Sequence, residues 1–287
     1  MYNIRVKILI MVNKTIPVFV IAILVLGFIL LPSVFASNEK KEDKELKIPA
    51  GATEIAPGVL SLGKAKDVNG KEVEGIMFVH YKKEFAKPQG VGNGPNKNTC
   101  YSFLTKRGVE WKTLEPWVAN PANSRGLTGS FILSNIGANI QKWEDASNGI
   151  VGDTISTEIM GDGSLTSDTL VADSSSPDGV NEIYFANISS TGVIAVTTVW
   201  YNTFLGQIVE WDQVYDDADF NWSSSTDGVA GSMDFENIST HEIGHAVGMG
   251  HPSDSCSDET MYRYADFAET KKRDLNTGDI AGINALY

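Results

Sequence analysis

The stretch HEIGHAVGMGH, residues 241–251, limits what this chain can become more than any other. The chain has 287 residues and four histidines, and three of them, His241, His245 and His251, stand here. His241 and His245 are four positions apart, which on a helix puts both rings on one face with Cβ atoms about 5–6 Å apart. Glu242 follows the first histidine and is turned about 100° away around the axis. Gly248 lets the backbone leave the helix in a conformation that side chains oppose. His251 can then swing back toward the other two rings. The fold must therefore gather a helix, a glycine turn and the chain beyond it around one point.

Three imidazole nitrogens with a fourth position left open form the donor set of a catalytic zinc, whereas a structural zinc takes four protein ligands. Glu242 lies beside the open position, where a carboxylate can reach an attacking water without filling the metal site. A structural zinc site gives Glu242 no purpose there. The bland alternative, a solvated helix with incidental histidines, leaves the spacing unexplained.

The remaining composition says where such a chain works. Residues 1–36 carry Arg5, Lys7 and Lys14, then an uncharged apolar run, and end in Val-Phe-Ala. This reads as a signal peptide cut after Ala36. The rival is an uncleaved membrane anchor, since roughly 20 apolar residues can span a bilayer. Either way the rest of the chain lies outside the membrane. The formal net charge is -13, which argues against nucleic acid as a partner. Two cysteines, Cys100 and Cys256, in an exported chain are most simply one disulfide, with free thiols or a thiolate ligand as the alternatives.

Organisation follows from pattern. Residues 37–98 comprise a charged stalk, then two apolar-rich runs around Asn69-Gly70, a hairpin signal. They end in KPQGVGNGPNKN, which reads as a linker. This is expected to be a small β-rich pre-domain, a candidate pro-segment, with the main domain at 99–287. In the main domain Phe131, Ile132, Ile136, Ile140 and Trp143 recur at helical spacing. Trp111–Pro121 contains a short extended run, and NEIYFANI, GVIAVTTVWYN and QIVEWDQVYDD read as strands. SMDFENISTHEIGHAVG reads as a helix capped by Ser232 or Asp234. A last helix is expected from Asn276, with Asp279 three residues on.

HEIGHAVGMGH fits the metzincin signature at every fixed position, and the chain resembles that clan of zinc proteases. ETMYRYADF supplies Met261, ten residues past His251, and DLNTGDIAGINALY is similar to the C-terminal helix of the matrixins, the family it resembles most. The resemblance is strong from Asp234 onward and loose back to Trp111. It implies an α+β fold: a twisted mixed sheet with long helices, an active-site helix and a methionine turn. It also implies a secreted or cell-surface zinc endopeptidase, with Glu242 as general base, His241, His245 and His251 on one zinc, and Met261 as a packing floor. A protein or peptide substrate would lie extended along an edge strand, here Val193–Tyr201, and the chain is expected to act as a monomer. The rival is a catalytically silent zinc-binding surface or adhesion module. Three features depart from the family. His80, the one histidine outside the cluster, cannot build the family's second zinc site. NKNTCYSF around Cys100 lacks the frame of an inhibitory cysteine. Arg263 stands where other metzincins carry a tyrosine. Calcium often stabilises the family, and residues 216–221 offer oxygen donors, although an acidic solvated loop explains them better.

Overall fold

The computed structural model describes residues 45–86, 99–147 and 158–287; the expected leader at 1–36 and the linker at 87–98 lie outside the described residues. The chain first builds β1 (Thr53–Ala56), β2 (Val59–Lys66) and β3 (Glu72–Lys82), each antiparallel to the next. Asp67 shapes the β2–β3 turn by accepting the amides of Asn69 and Lys71 at 2.9 and 2.8 Å, and Gly70 takes a φ of 77°. The hairpin read from Asn69-Gly70 is therefore present.

The short extended run is β4 (Trp117–Ala119). The helical stripe is α1 (Gly129–Ala146), whose Thr128 cap accepts from the Phe131 amide and whose Ile132, Ile136, Ile140 and Trp143 are buried. After β5 (Gly163–Leu165) come β6 (Asn181–Ile188), β7 (Val193–Asn202) and β8 (Gln207–Asp216). β7 and β8 form the expected hairpin, joined at residues 203–206. Then follow α2 (Phe235–Ala246), β9 (Tyr264–Ala265) and α3 (Thr277–Leu286). α3 begins with the capping box read from Asn276 and Asp279.

In space the sheet runs β1-β2-β3-β7-β8-β6-β4-β5, with Glu45–Leu46 added on β6 and β9 on β3. Pairing is antiparallel from β1 to β8 and parallel from there to β5. The fold is thus α+β with a mixed sheet, as the resemblance implies. Two expectations need correction. Val193–Tyr201 is not an edge, because β7 pairs with β8 on one side and with β3 on the other. The β-rich segment before residue 99 is present, but it is not a separate body. Its strand β3 continues the sheet, and the described residues fall in one compact unit. The sequence reading treated the linker as a structural boundary, yet a strand with an apolar face needs a sheet to bury it, and the nearest edge was β7.

Both faces of the sheet are covered, which is why every residue of β7 is buried. One face carries α1, α2 and α3 over a core that includes Ile76, Phe78, Trp143, Val199 and Phe235. The other packs Leu60, Met77, Val79, Val196 and Val214 with Leu170 and Ala172 of the segment before β6. Within β3, Val73, Ile76, Met77, Phe78 and Val79 are all almost fully buried. Each such side chain contributes about 1.5–3 kcal/mol, so this strand is firmly seated.

Cys100 and Cys256 form a disulfide across 156 residues of sequence, which removes the thiolate-ligand alternative. Closing so long a loop restricts the unfolded chain by about 5 kcal/mol in the chain-entropy picture. Cys100→Ser is therefore expected to lower unfolding free energy by about 2–5 kcal/mol, read as an earlier urea midpoint, with a steeper slope because the denatured chain is no longer cross-linked.

Candidate metal centre

The site is built on α2. Asp234 caps the helix, its Oδ1 accepting the Asn237 amide at 2.8 Å, and Arg273 donates to both carboxylate oxygens of that cap. The sequence left Ser232 and Asp234 open as caps, and Asp234 is the one used. Trp143 of α1 donates its indole N–H to the Thr240 carbonyl at 3.0 Å, which holds the two helices together. Gly244 is required by contact: a Cβ there would stand 2.2 Å from Met261 Sδ. Gly248 is required by conformation, with φ of 107° and the Val109 carbonyl oxygen 2.6 Å from where a Cβ would sit.

The glycine turn brings His251 back as read. His245 Nε2 lies 3.2 Å from His241 Nε2 and 3.1 Å from His251 Nε2. The backbone sets the tautomers. His241 Nδ1 donates to the Thr260 carbonyl at 2.7 Å, and His245 Nδ1 to the Met249 carbonyl at 2.9 Å, because a carbonyl oxygen can only accept. Their Nε2 atoms are then bare lone pairs. Burial lowers the pKa of His245 to about 4 and that of His241 well below the usual imidazole range, so both rings are neutral. Converging lone pairs with no proton between them repel unless a cation sits among them. Nitrogens about 2.0–2.1 Å from a tetrahedral zinc stand about 3.3 Å apart, so the donors present fit that ion.

Glu242 is fully buried beside the cluster, and burial pushes its carboxyl up to about 7. Both of its oxygens are engaged. Thr197 of β7 donates to Oε2 at 2.5 Å, and His80 Nδ1 of β3 lies 2.8 Å from Oε1. Phe78, two residues before His80, stacks on His245 with ring centroids 3.8 Å apart and meets His251 edge-on at 5.4 Å.

Met261 is fully buried against α2. Asp279 of α3 accepts the amides of Thr260 and Met261 at 2.6 and 3.1 Å, so the last helix fixes the methionine turn. The buried Lys272 donates to the carbonyls of Thr260 and Tyr262. Thr260 O thus receives both Lys272 and His241. Burial brings the Lys272 pKa down to about 7. Arg263, which stands where the metzincin pattern has a tyrosine, pairs with Asp254. In the acidic loop offered for calcium, Asp216 and Asp217 accept backbone amides. Arg125 donates to the carbonyls of Asp217 and Ala218 and to the Asn221 side chain. That loop is closed by the protein's own cation.

The structure therefore gathers His241, His245, His251 and Glu242, which the spacing put together, and Met261, which the resemblance added. Sequence reasoning missed Thr197, Lys272, Phe78 and His80. The alternation in IMFVHYK puts Phe78 and His80 on one strand face, but only the pairing of β3 with β7 carries that face to the metal centre.

A family model described as Matrixin matches residues 197–287. Metalloendoproteinase 2-MMP of Arabidopsis thaliana is 38% identical over 76 residues, 25% of this chain and 19% of that protein. Metalloendoproteinase 1 of Glycine max is 40% identical over 75 residues, covering 25% of this chain and 24% of its own length. Human Matrilysin is 38% identical over 71 residues, 25% of each chain. The chain thus spans about a fifth to a quarter of the length of these relatives. With the histidine cluster, the mixed sheet and the methionine turn in place, the chain is similar to the matrixins, a metzincin family, over residues 197–287.

Proposed function

We propose that the chain is an exported zinc endopeptidase that hydrolyses internal peptide bonds of proteins. The carrying observation is three converging Nε2 atoms beside a buried carboxylate on the same helix. His241, His245 and His251 would hold zinc, which when bound supplies Lewis acidity toward the scissile carbonyl and acidifies the attacking water. Glu242 takes the proton of that water at a carboxylate oxygen and passes it to the departing amine. Thr197 fixes the carboxylate by its bond to Oε2. Lys272 and Asp279 hold the Thr260–Met261 turn that orients His241. The disulfide and the charged-then-apolar leader support export, either secreted or tethered outside the membrane. An adhesion module needs the three histidines but has no use for Glu242, so the peptidase is the better reading.

Casein and a quenched peptide incubated with the purified chain test this. Chelation is expected to abolish cleavage, and one equivalent of zinc to restore it. A chain that holds zinc and never cleaves under any condition would be the adhesion module instead.

A further inference from the structure

We infer that β3 is a built-in occupant of the substrate groove, which holds down the activity of the intact chain by capping the general base rather than the metal. What the groove binds rests on the peptidase reading above; the burial of Glu242 by β3 does not. An extended peptide recognised by strand addition needs a free sheet edge beside the catalytic groups. β7 is the strand that carries Thr197 to Glu242, and its outer edge is fully taken. Glu74 through Tyr81 pair with it antiparallel, with Phe78 opposite Thr197 and His80 opposite Ala195. At its far end β3 changes partner. Tyr81 and Lys82 pair in parallel with Tyr264 and Ala265 of β9, just past the methionine turn. One strand is therefore held by both walls of a groove whose floor is α2 and whose contents are the metal ligands and the base.

The side chains agree with the backbone. His80 is fully buried, bonds Oε1 of Glu242 at 2.8 Å, and tilts against the His241 ring at 4.1 Å. With Thr197 on Oε2, the base has protein donors on both oxygens, and a substrate or water must displace one of them. His80 Nε2 is buried and has no partner, a cost accepted only if the strand's seating outweighs it. Phe78 lies flat on His245 and edge-on to His251, covering the two ligands that His80 does not touch. The disulfide holds Cys100 elsewhere, so no thiol serves this purpose. The occupant is the chain's own segment 72–82, and a foreign peptide pairs with β7 only where β3 has left.

The test compares the full zinc-loaded chain with Phe78→Ala, His80→Ala and the double variant. Three quantities are read: affinity for a peptide hydroxamate, hydrolysis of a quenched peptide, and amide hydrogen exchange over residues 74–81. The double variant is expected to bind the hydroxamate at least tenfold more tightly than the wild type and to exchange faster in β3, with zinc content unchanged. If it does not fold, His80→Ala alone is expected to gain at least threefold. Equal hydroxamate affinity in wild type and variants overturns the inference. So does exchange in wild-type β3 as fast as in an unstructured chain, a reading that needs neither zinc nor turnover. Tighter hydroxamate binding by variants that cleave no peptide leaves the capping strand standing and removes the peptidase reading.

Discussion

Glu242→Gln is expected to lower kcat for peptide hydrolysis by about 10²–10⁴-fold, the span usual for loss of a general acid–base group, while zinc stays at one per chain. Glutamine keeps the shape and can still accept from Thr197, so the α2–β7 contact survives. Only the capacity to take up and return a proton is lost. Comparison must be made between chains with the same mature N-terminus, so that β3 is equally present in both. A second consequence separates chemistry from folding. Burial raises the folded carboxyl from its ordinary 4.5 to about 7. Between those values the unfolded chain has released a proton that the fold retains, so stability falls as pH rises through this window and is level above it. Glutamine has no such slope. In the metal-free protein the variant is therefore expected to be the more stable at pH 8, by about 3 kcal/mol at most, and equal at pH 4. Full activity in the variant would remove Glu242 from the mechanism.

The parts legible in the sequence were those fixed by local chemistry. The 3.6-residue period foresaw α1, β-branched runs foresaw β6, β7 and β8, and capping residues narrowed the start of α2 to two positions and placed that of α3. The convergence of the three histidines was legible for the same reason: helix geometry and one glycine bring His241, His245 and His251 together within eleven residues. What failed was long-range pairing. Nothing in residues 72–82 states which edge they will join, because a strand's propensity describes its own pleat and not its neighbour. His80 stands 162 positions before Glu242, and only the register of β3 on β7 brings the two together. Lys272 was hidden differently. In the run Lys271-Lys272-Arg273 it looks like a solvated charge, yet it is fully buried on the carbonyls of the methionine turn. An abundance of basic neighbours conceals the one whose partners are backbone oxygens.

His251→Ala is expected to weaken zinc binding at least 100-fold while leaving the metal-free fold intact. His241 and His245 make poorer tests, because both are fully buried and their Nδ1 atoms brace backbone carbonyls. Removing either ring disturbs the core along with the metal. His251 follows the glycine turn, is only partly buried as a residue, and has no hydrogen-bond partner on its Nδ1. Its polar contact is the Nε2 that faces His245, so the substitution removes a ligand and little else. Groups that merely orient a metal ligand contribute about 10–100-fold to affinity, and the ligand itself must contribute more. Metal content after dialysis against a competing chelator is expected to fall from one zinc per chain to near none. Where zinc is 100-fold above its dissociation constant it stabilises the wild type by about 2.7 kcal/mol, and that increment should vanish from the variant. His80→Ala is the control. His80 touches the base and the His241 ring but lies outside the three converging nitrogens, so its loss should leave zinc content unchanged. A His251→Ala chain that holds zinc as tightly as the wild type would place the ion away from this cluster and reduce the matrixin likeness to a likeness of fold.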